Sequence, residues 1–169
     1  MDFRAQLQAE LPHLRRFARA MAGDASLADD LVQDCIERAL IKSALYDPTR
    51  PIRAWLYAML RNLYINGLRR ASRSPVLKSV DHLFEGEDAT PPEQEYQLSV
   101  TEIAAALDRL PAQQREVLVL VSLEEMSYRE AAEITGVPIG TVMSRLSRAR
   151  SLLKDILEER GQTVLRRVK

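Results

Sequence analysis

The sequence predicts an all-α protein made of two small helical domains joined by a flexible acidic linker. Several segments have apolar residues at a period near 3.6, clear strand runs are few, and only six glycines occur among 169 residues. The net charge is zero, but cations exceed acids in both end segments and acids dominate between them. We therefore expect an N-terminal domain at 1–75, a linker at 76–100 and a C-terminal domain at 101–169.

The N-terminal domain is predicted to contain three helices. Apolar residues spaced from Phe3 to Met21 outline the first helix, in which Pro12 predicts a break or restart. Ser26 with Asp29 predicts the cap of the second helix. Pro51 is well placed in the first turn of the third helix, which reads IRAWLYAMLRNLYINGLRR.

The second helix is predicted to have an inward and an outward face. The inward stripe consists of Leu31, Cys35, Ala39 and Leu40, and the polar outward face includes Asp30, Gln33, Asp34 and Arg38. Cys35 is the only cysteine, so no intramolecular disulfide can form. Its apolar surroundings favour a core residue over a nucleophile or redox sensor, and its being alone is typical of a reducing cytoplasm.

The third helix lies in a basic and aromatic segment. Between Pro48 and Val80 there are seven basic residues and no acid, and four of the nine aromatic residues fall in or just before this run. Cations and aromatic faces together are typical of single-strand nucleic-acid binding. Trp55 is better interpreted as a core residue, whereas Asn62 and the arginines lie off the apolar stripe.

A helix-turn-helix is predicted between Tyr128 and Arg150, after a linker punctuated by prolines and acids. Ala132, Gly136 and Val142 occupy the positions where a small residue, a turn glycine and an apolar residue are needed. Ser127 and Glu130 form the pattern of a capping box ahead of the first helix of the pair. A solvated helical hairpin with a basic face is the simpler alternative for this segment taken alone.

The second helix of that pair combines an apolar side with a basic side. Its core-facing residues are Val142, Leu146, Ala149 and Leu153, and serines and arginines occupy the rest of its surface. Small hydroxyls beside arginines suit a DNA groove, because the backbone comes close while the long side chains reach bases or phosphates. This pattern predicts a recognition helix.

Three stretches, in this order and at this spacing, resemble the signature regions of an extracytoplasmic-function (ECF, group IV) sigma factor of the bacterial sigma-70 family. They are ADDLVQDCIERAL, RAWLYAMLRNLYINGLRR and LPAQQREVLVLVSLEEMSYREAAEITGVPIGTVMSRLSRARSLL, within about residues 8–75 and 100–157. The shorter stretches ADDLVQ, TPPEQ and SYREAAEI are similar to the alphaproteobacterial general-stress branch. The resemblance implies sigma domain 2 at 1–75 and sigma domain 4 at 101–169.

The resemblance implies three binding surfaces. Core RNA polymerase is expected on Asp30, Gln33, Asp34 and Arg38. The minus-ten promoter element is expected on Tyr46, Arg50, Arg53, Arg61, Asn62, Arg69 and Arg70, with Asn62 lining a pocket for a flipped base. The minus-thirty-five element is expected on Thr141, Met143, Ser144, Arg145, Ser147, Arg148 and Arg150. Many relatives carry a basic residue at the position of Met143.

The implied function is non-enzymatic, in the cytoplasm, with core RNA polymerase, promoter DNA and a cognate anti-sigma factor as partners and no cofactor or metal. The sequence has no run long enough to insert in a membrane. Two alternatives stay open. A stand-alone helix-turn-helix regulator would bind duplex DNA without polymerase, although the basic third helix argues against it. A metal-dependent nucleotide hydrolase would use Asp29, Asp30, Asp34 and Glu37, but it needs a facing acidic helix where arginines occur.

Overall fold

Every regular element of the computed structural model is a helix among the residues that it describes, which are 2–73 and 100–167. The N-terminal helices are α1 (Phe3–Ala22), α2 (Ala25–Ile41) and α3 (Ile52–Arg73), with a 3₁₀ turn at Ser43–Leu45. The C-terminal helices are α4 (Val100–Asp108), α5 (Ala112–Leu118), α6 (Tyr128–Thr135) and α7 (Ile139–Arg167), with a π-helical turn at Val119–Leu123. The all-α class is confirmed. The predicted linker, apart from Val100, lies outside the described residues.

The first helix runs unbroken through Pro12, so the predicted break was wrong. Proline lacks the N–H that would bond to the carbonyl of Gln8, which weakens this turn. Leu7 on one side of the proline and Leu14 and Phe17 on the other are all buried on one face. Burial of that continuous face against α2 and α3 outweighs the missing hydrogen bond.

The predicted cap of α2 was also misplaced. Asp24 is the N-cap, because its carboxylate accepts the N–H of Leu27 at 2.7 Å. Gly23 ends α1 just before it with a φ of 70°, a left-handed conformation that glycine adopts without strain. Within α2 the inward stripe is confirmed except at its end, where Leu40 is exposed.

Helix α3 begins directly after Pro51 and packs its apolar face against α1 and α2. Leu56, Tyr57, Leu60 and Tyr64 are buried on this face. Trp55 is partly buried beside the rings of Phe3 and Tyr46, which confirms its interpretation as a core residue.

The helix-turn-helix is confirmed by its local geometry. Ser127 accepts the N–H of Glu130, and the carboxylate of Glu130 accepts the N–H of Ser127, which completes the capping box. Gly136 ends α6 with a φ of 69°. The apolar side of α7 is buried against α5 and α6 and includes Val142, Leu146 and Ala149.

The two domains pack against each other. Helix α3 contacts α6, and α1 contacts α4, α5 and the π-helical turn. Buried apolar residues of both domains belong to one continuous cluster. The surfaces of α1 and α3 that face the C-terminal domain are therefore interior surfaces in this arrangement.

Candidate nucleic-acid and polymerase interfaces

The outer face of α7 presents the residues expected at the minus-thirty-five element. Met143, Ser144, Ser147, Arg148 and Arg150 are exposed, and Thr141 and Arg145 are partly buried. This exposure follows from the helix itself, because the opposite side is fixed in the core by Val142, Leu146 and Ala149.

Two of the arginines on this face are available to an anion. Arg148 and Arg150 are exposed and form no salt bridge with another described residue. Arg145 differs from them, since its charge acts on the buried Glu116, where burial raises the pKa of the carboxyl and the charge of Arg145 offsets a part of that rise. The outer face of α7 can therefore bind phosphates through Arg148 and Arg150.

The residues expected at the minus-ten element divide into a free and an occupied group. Asn62, Arg69 and Arg70 are exposed along α3, and neither of these two arginines forms a salt bridge with another described residue. Tyr46 is partly buried, with its ring centroid 5.7 Å from that of Phe3, and its hydroxyl donates to the carbonyl of Arg50 at 2.7 Å. The contact with Phe3 thereby holds the loop before α3 against the start of α1.

The other three arginines of the minus-ten set are paired with carboxylates. Arg53 pairs within its own domain, with its Nε 2.6 Å from Glu10 Oε2. Arg50 and Arg61 pair across the domain boundary instead, with Glu133 and Glu116 respectively. Carboxylates of the C-terminal domain thus occupy two guanidinium groups that the resemblance assigns to DNA.

A third carboxylate, Glu124, is fully buried between the domains. Arg16 donates to both of its oxygens, from Nε at 2.6 Å and from Nη2 at 2.9 Å, and the hydroxyl of Tyr57 also donates to it. Burial alone would raise the pKa of Glu124, but these hydrogen bonds and the charge of Arg16 lower it below its ordinary value. Glu124 therefore stays ionised at neutral pH.

Burial changes the chemistry of Glu116 differently. It raises the pKa of this carboxyl, and the hydrogen bond and charge of Arg61 offset the effect only in part.

We refer to Glu116, Glu124 and Glu133 together as the three inter-domain carboxylates. Sequence analysis did not identify them; the one available signal was an acid inside the apolar run REVLVLV, which the core would have to pair.

Two of the four aromatic residues in or just before the basic run are not exposed. Tyr57 is fully buried and Tyr64 is 8% exposed, so neither ring can stack on a base in this arrangement. Both lie with Leu56 and Leu60 on the side of α3 that packs inward. Arg69 and Arg70 stay at the surface of the described part of the run, whereas its aromatic residues mostly form the core.

The polar face of α2 is exposed as predicted from its periodicity. Asp30, Gln33, Asp34 and Arg38 all lie at the surface, and Gln33 Nε2 donates to Glu37 Oε1 at 3.1 Å. Among residues 2–73 and 100–167, no group of three His, Cys, Asp or Glu side chains is placed to hold a metal ion. Helix α3 carries arginines rather than a second set of acids, and the hydrolase alternative therefore lacks the facing acidic helix that it needs.

Cys35 is a core thiol. It is fully buried, its Sγ–H donates to the carbonyl of Leu56 at 3.6 Å, and burial raises its pKa to about 12. The thiol is therefore neutral at physiological pH, which confirms its interpretation as a packing residue. No helix among the described residues is long and apolar enough to cross a bilayer.

Both halves of the chain match known protein families. Residues 100–153 match the model of sigma-70 region 4, and residues 7–61 match that of the sigma2 domain of PhyR. The chain is 40% identical over 156 residues to the ECF RNA polymerase sigma factor EcfG of Rhodopseudomonas palustris, covering 92% of this chain and 85% of the relative. It is 36% identical over 151 residues to the ECF sigma factor SigL of Mycobacterium tuberculosis, covering 89% and 85%.

Solved structures agree with these relatives over both domains. The sigma factor RpoE of Bartonella quintana, in complex with the anti-sigma factor NepR, is 35% identical with a TM-score of 0.76, covering 93% of this chain and 97% of RpoE. CnrH in complex with the cytosolic domain of CnrY is 29% identical with a TM-score of 0.66, covering 94% and 90%. The helix-turn-helix, the basic third helix and the similarity to these relatives all indicate the same family. This chain therefore belongs to the ECF sigma factors of RNA polymerase.

Proposed function

We propose that this chain, as a sigma factor without catalytic activity of its own, binds core RNA polymerase through the exposed face of α2 and places its two domains on two promoter elements. The recognition helix α7 would lie on the minus-thirty-five element, and α3 with its preceding loop would hold the melted minus-ten strand. Binding to these partners would place the protein in the cytoplasm. The observation that carries the proposal is the outer face of α7, where Arg148 and Arg150 are exposed and form no salt bridge with the rest of the described chain, while the opposite face is fixed in the core.

The minus-ten surface would need the domains to separate. Arg50 and Arg61 are paired with Glu133 and Glu116 across the domain boundary, so phosphates would have to displace carboxylates there. Asn62, Arg69 and Arg70 remain exposed on α3, the helix that carries Arg61. We infer that the packed arrangement is a resting state, and that polymerase binding offsets the cost of opening it.

Control by an anti-sigma factor is the second part of the proposal. The NepR-bound RpoE and CnrY-bound CnrH resemble this chain over both of its domains, which supports a cognate inhibitor. The likeness to EcfG and to the NepR-bound sigma factor supports a place in the alphaproteobacterial general-stress branch. An inhibitor that stabilises the packed domains would act on the equilibrium described above.

The test is run-off transcription from fragmented genomic DNA of the source organism, using core polymerase with and without the chain. New discrete transcripts that share two upstream elements are expected. Specific duplex binding without polymerase, and no new transcripts, would favour the stand-alone regulator instead.

A matched variant tests the assignment of α7. Arg148→Ala removes an exposed guanidinium and should reduce transcription from promoters that depend on the upstream element, because a phosphate or base contact is lost. Core polymerase binding should be unchanged. Lys154→Ala, further along the same helix, is the control for a nonspecific loss of charge. Equal loss of polymerase binding in Arg148→Ala would show that this face is not the DNA surface.

A further inference from the structure

The start of the recognition helix exposes two large apolar side chains. Ile139 is 42% exposed and Met143 is 52% exposed, although Val142 between them is fully buried. Residues four apart on a helix lie one above the other, so Ile139, Met143 and Ser147 form a row along one flank of α7. Met143 and Ser147 belong to the DNA-facing surface proposed above, and Ile139 extends that surface by one turn toward the start of the helix.

The start of this row has no charged hydrogen-bond donor beside it. No charged residue occurs from Ile139 to Ser144. The hydroxyl of Ser144 donates to the carbonyl of Thr141 at 3.1 Å and is turned back on its own helix. Arg145 is on the opposite flank, partly buried and near Glu116. The exposed cations begin only at Arg148.

This distribution restricts how the helix can read a sequence. In helix-turn-helix proteins the N-terminal residues of the recognition helix contact the base edges. Guanine is usually read there by a bidentate arginine, and adenine by asparagine or glutamine, none of which is present at the start of α7. The apolar group on a base edge in the major groove is the C5-methyl of thymine.

We propose that Ile139 and Met143 read thymine methyl groups in the upstream promoter element. The long, unbranched side chain of Met143 can adapt to a methyl at either of two adjacent base pairs, and Ile139 supports it from the preceding turn. Discrimination at these positions then comes from burial of apolar surface rather than from hydrogen bonds. The inference rests on the proposed placement of α7 on this element.

Deoxyuridine differs from thymidine in this methyl group alone and keeps every hydrogen-bonding group, which makes it the probe. Duplexes that carry the upstream element would have each thymidine replaced in turn on either strand, and binding by the complete sigma–polymerase complex would be measured by competition. We expect roughly a fourfold loss of affinity at one or two positions, the effect of one buried methyl group, and none elsewhere.

Protein variants connect the effect to the named residues. Met143→Ala should bind the thymidine duplex more weakly and no longer distinguish it from the deoxyuridine duplex. Met143→Leu should retain the difference, because it keeps an apolar side chain of similar size. Ile41→Ala removes an apolar side chain that is 81% exposed in the N-terminal domain, and it should also retain the difference.

The outcomes separate this inference from the function on which it rests. Equal affinity for thymidine and deoxyuridine at every position, with promoter-specific transcription intact, would overturn the methyl contact and leave the sigma factor function standing. Discrimination that persists in Met143→Ala would overturn the role of this residue. Absence of promoter-specific transcription on unmodified DNA would count against the proposed function itself.

Discussion

At the scale of single residues, the most consequential side chain is Glu124. A buried carboxylate loses the solvation of water, and this loss is large unless the group is paired and hydrogen-bonded. Arg16 and Tyr57 together supply three hydrogen bonds, and they come from α1 and α3. A single acid of the C-terminal domain therefore joins both of these N-terminal helices.

We expect Arg16→Ala to lower the free energy of unfolding by about 2–3 kcal/mol near neutral pH, because Glu124 keeps a buried charge without its main partner. The pKa of Glu124 is lowered in the native protein, so its stabilising contribution is present at neutral pH and is lost only as pH falls through that lowered value. In the variant, burial dominates and the pKa rises. The deficit should therefore shrink as pH falls from about 7 to about 5, toward the ordinary range of a carboxyl, because protonation removes the unpaired charge from the variant.

Urea denaturation of both proteins at these two pH values measures the change. Arg15→Ala is the matched control, since Arg15 is exposed directly before Arg16 in α1 and forms no salt bridge with another described residue. A deficit that grows toward acidic pH would contradict the assigned role of Glu124.

Cys35 gives a second prediction at this scale. With a pKa of about 12 and no exposure, its thiol should react with a disulfide reagent at pH 8 at a small fraction of the rate of the unfolded chain. The measurement compares thiol release by the native protein and by the protein in denaturant. Reaction at comparable rates would show that α2 and α3 do not pack tightly around this residue.

At the scale of elements, α1 shows how tertiary packing overrides a local signal. Proline inside a helix removes a backbone hydrogen bond and clashes with the preceding turn. The residues on either side of Pro12 are nevertheless held in one helix, because their shared apolar face is buried against two other helices. Local propensity predicted a break, and the packing of the whole face decided against it.

Pro12→Ala should therefore stabilise the protein by about 1–2 kcal/mol, because alanine restores the helical N–H and relieves the clash at an exposed site. The gain is less than the full propensity difference, since alanine also frees the unfolded chain. Thermal unfolding followed by circular dichroism measures it. An unchanged or lower melting temperature would indicate that α1 is bent at this position in solution.

Caps separate what local sequence can and cannot predict. The pattern of Ser127 and Glu130 predicts a capping box at the start of α6, and the structure confirms it. Near the start of α2, Asp24 and Ser26 are both good N-cap residues two positions apart. Asp24 is the cap because Gly23 ends α1 in a left-handed conformation, which leaves Asp24 extended and its side chain free to reach Leu27.

At the scale of the whole molecule, the domains pack with the minus-ten surface partly occupied. The three inter-domain carboxylates contact Arg16, Arg50 and Arg61, whereas no described residue forms a salt bridge with Arg148 or Arg150 on the outer face of α7. The surface proposed for the upstream element is therefore exposed, while two of the arginines proposed for the downstream element are engaged across the domain boundary. Opening would exchange their carboxylate partners for phosphate partners, so these two arginines would keep a counter-charge in both states.

A chemical cross-link tests this exchange. The variant Arg50→Cys with Glu133→Cys, joined by a short bismaleimide, should lose most of its binding to the single-stranded minus-ten element, because the open state is removed from the equilibrium. Binding to duplex with the upstream element should persist. Cys35 is buried and does not interfere.

The same double variant before cross-linking is the control, because it lacks both charges but can open. Fluorescence anisotropy with the two DNA probes, in the presence of core polymerase, measures both interactions. Minus-ten binding that is equal before and after cross-linking would show that the packed domains do not restrict access to α3.

The amino-acid sequence alone specifies the helical class, the helix-turn-helix, the faces of α2 and α7 and the membership of the sigma factor family. These features are periodic or local, so the identity and spacing of nearby residues specify them. The packing of distant segments is what keeps Pro12 helical, turns Tyr57 and Tyr64 inward, and pairs Glu116, Glu124 and Glu133 with arginines. Such pairings join residues that are 55 to 108 positions apart, and no local pattern records which distant charges the fold brings together.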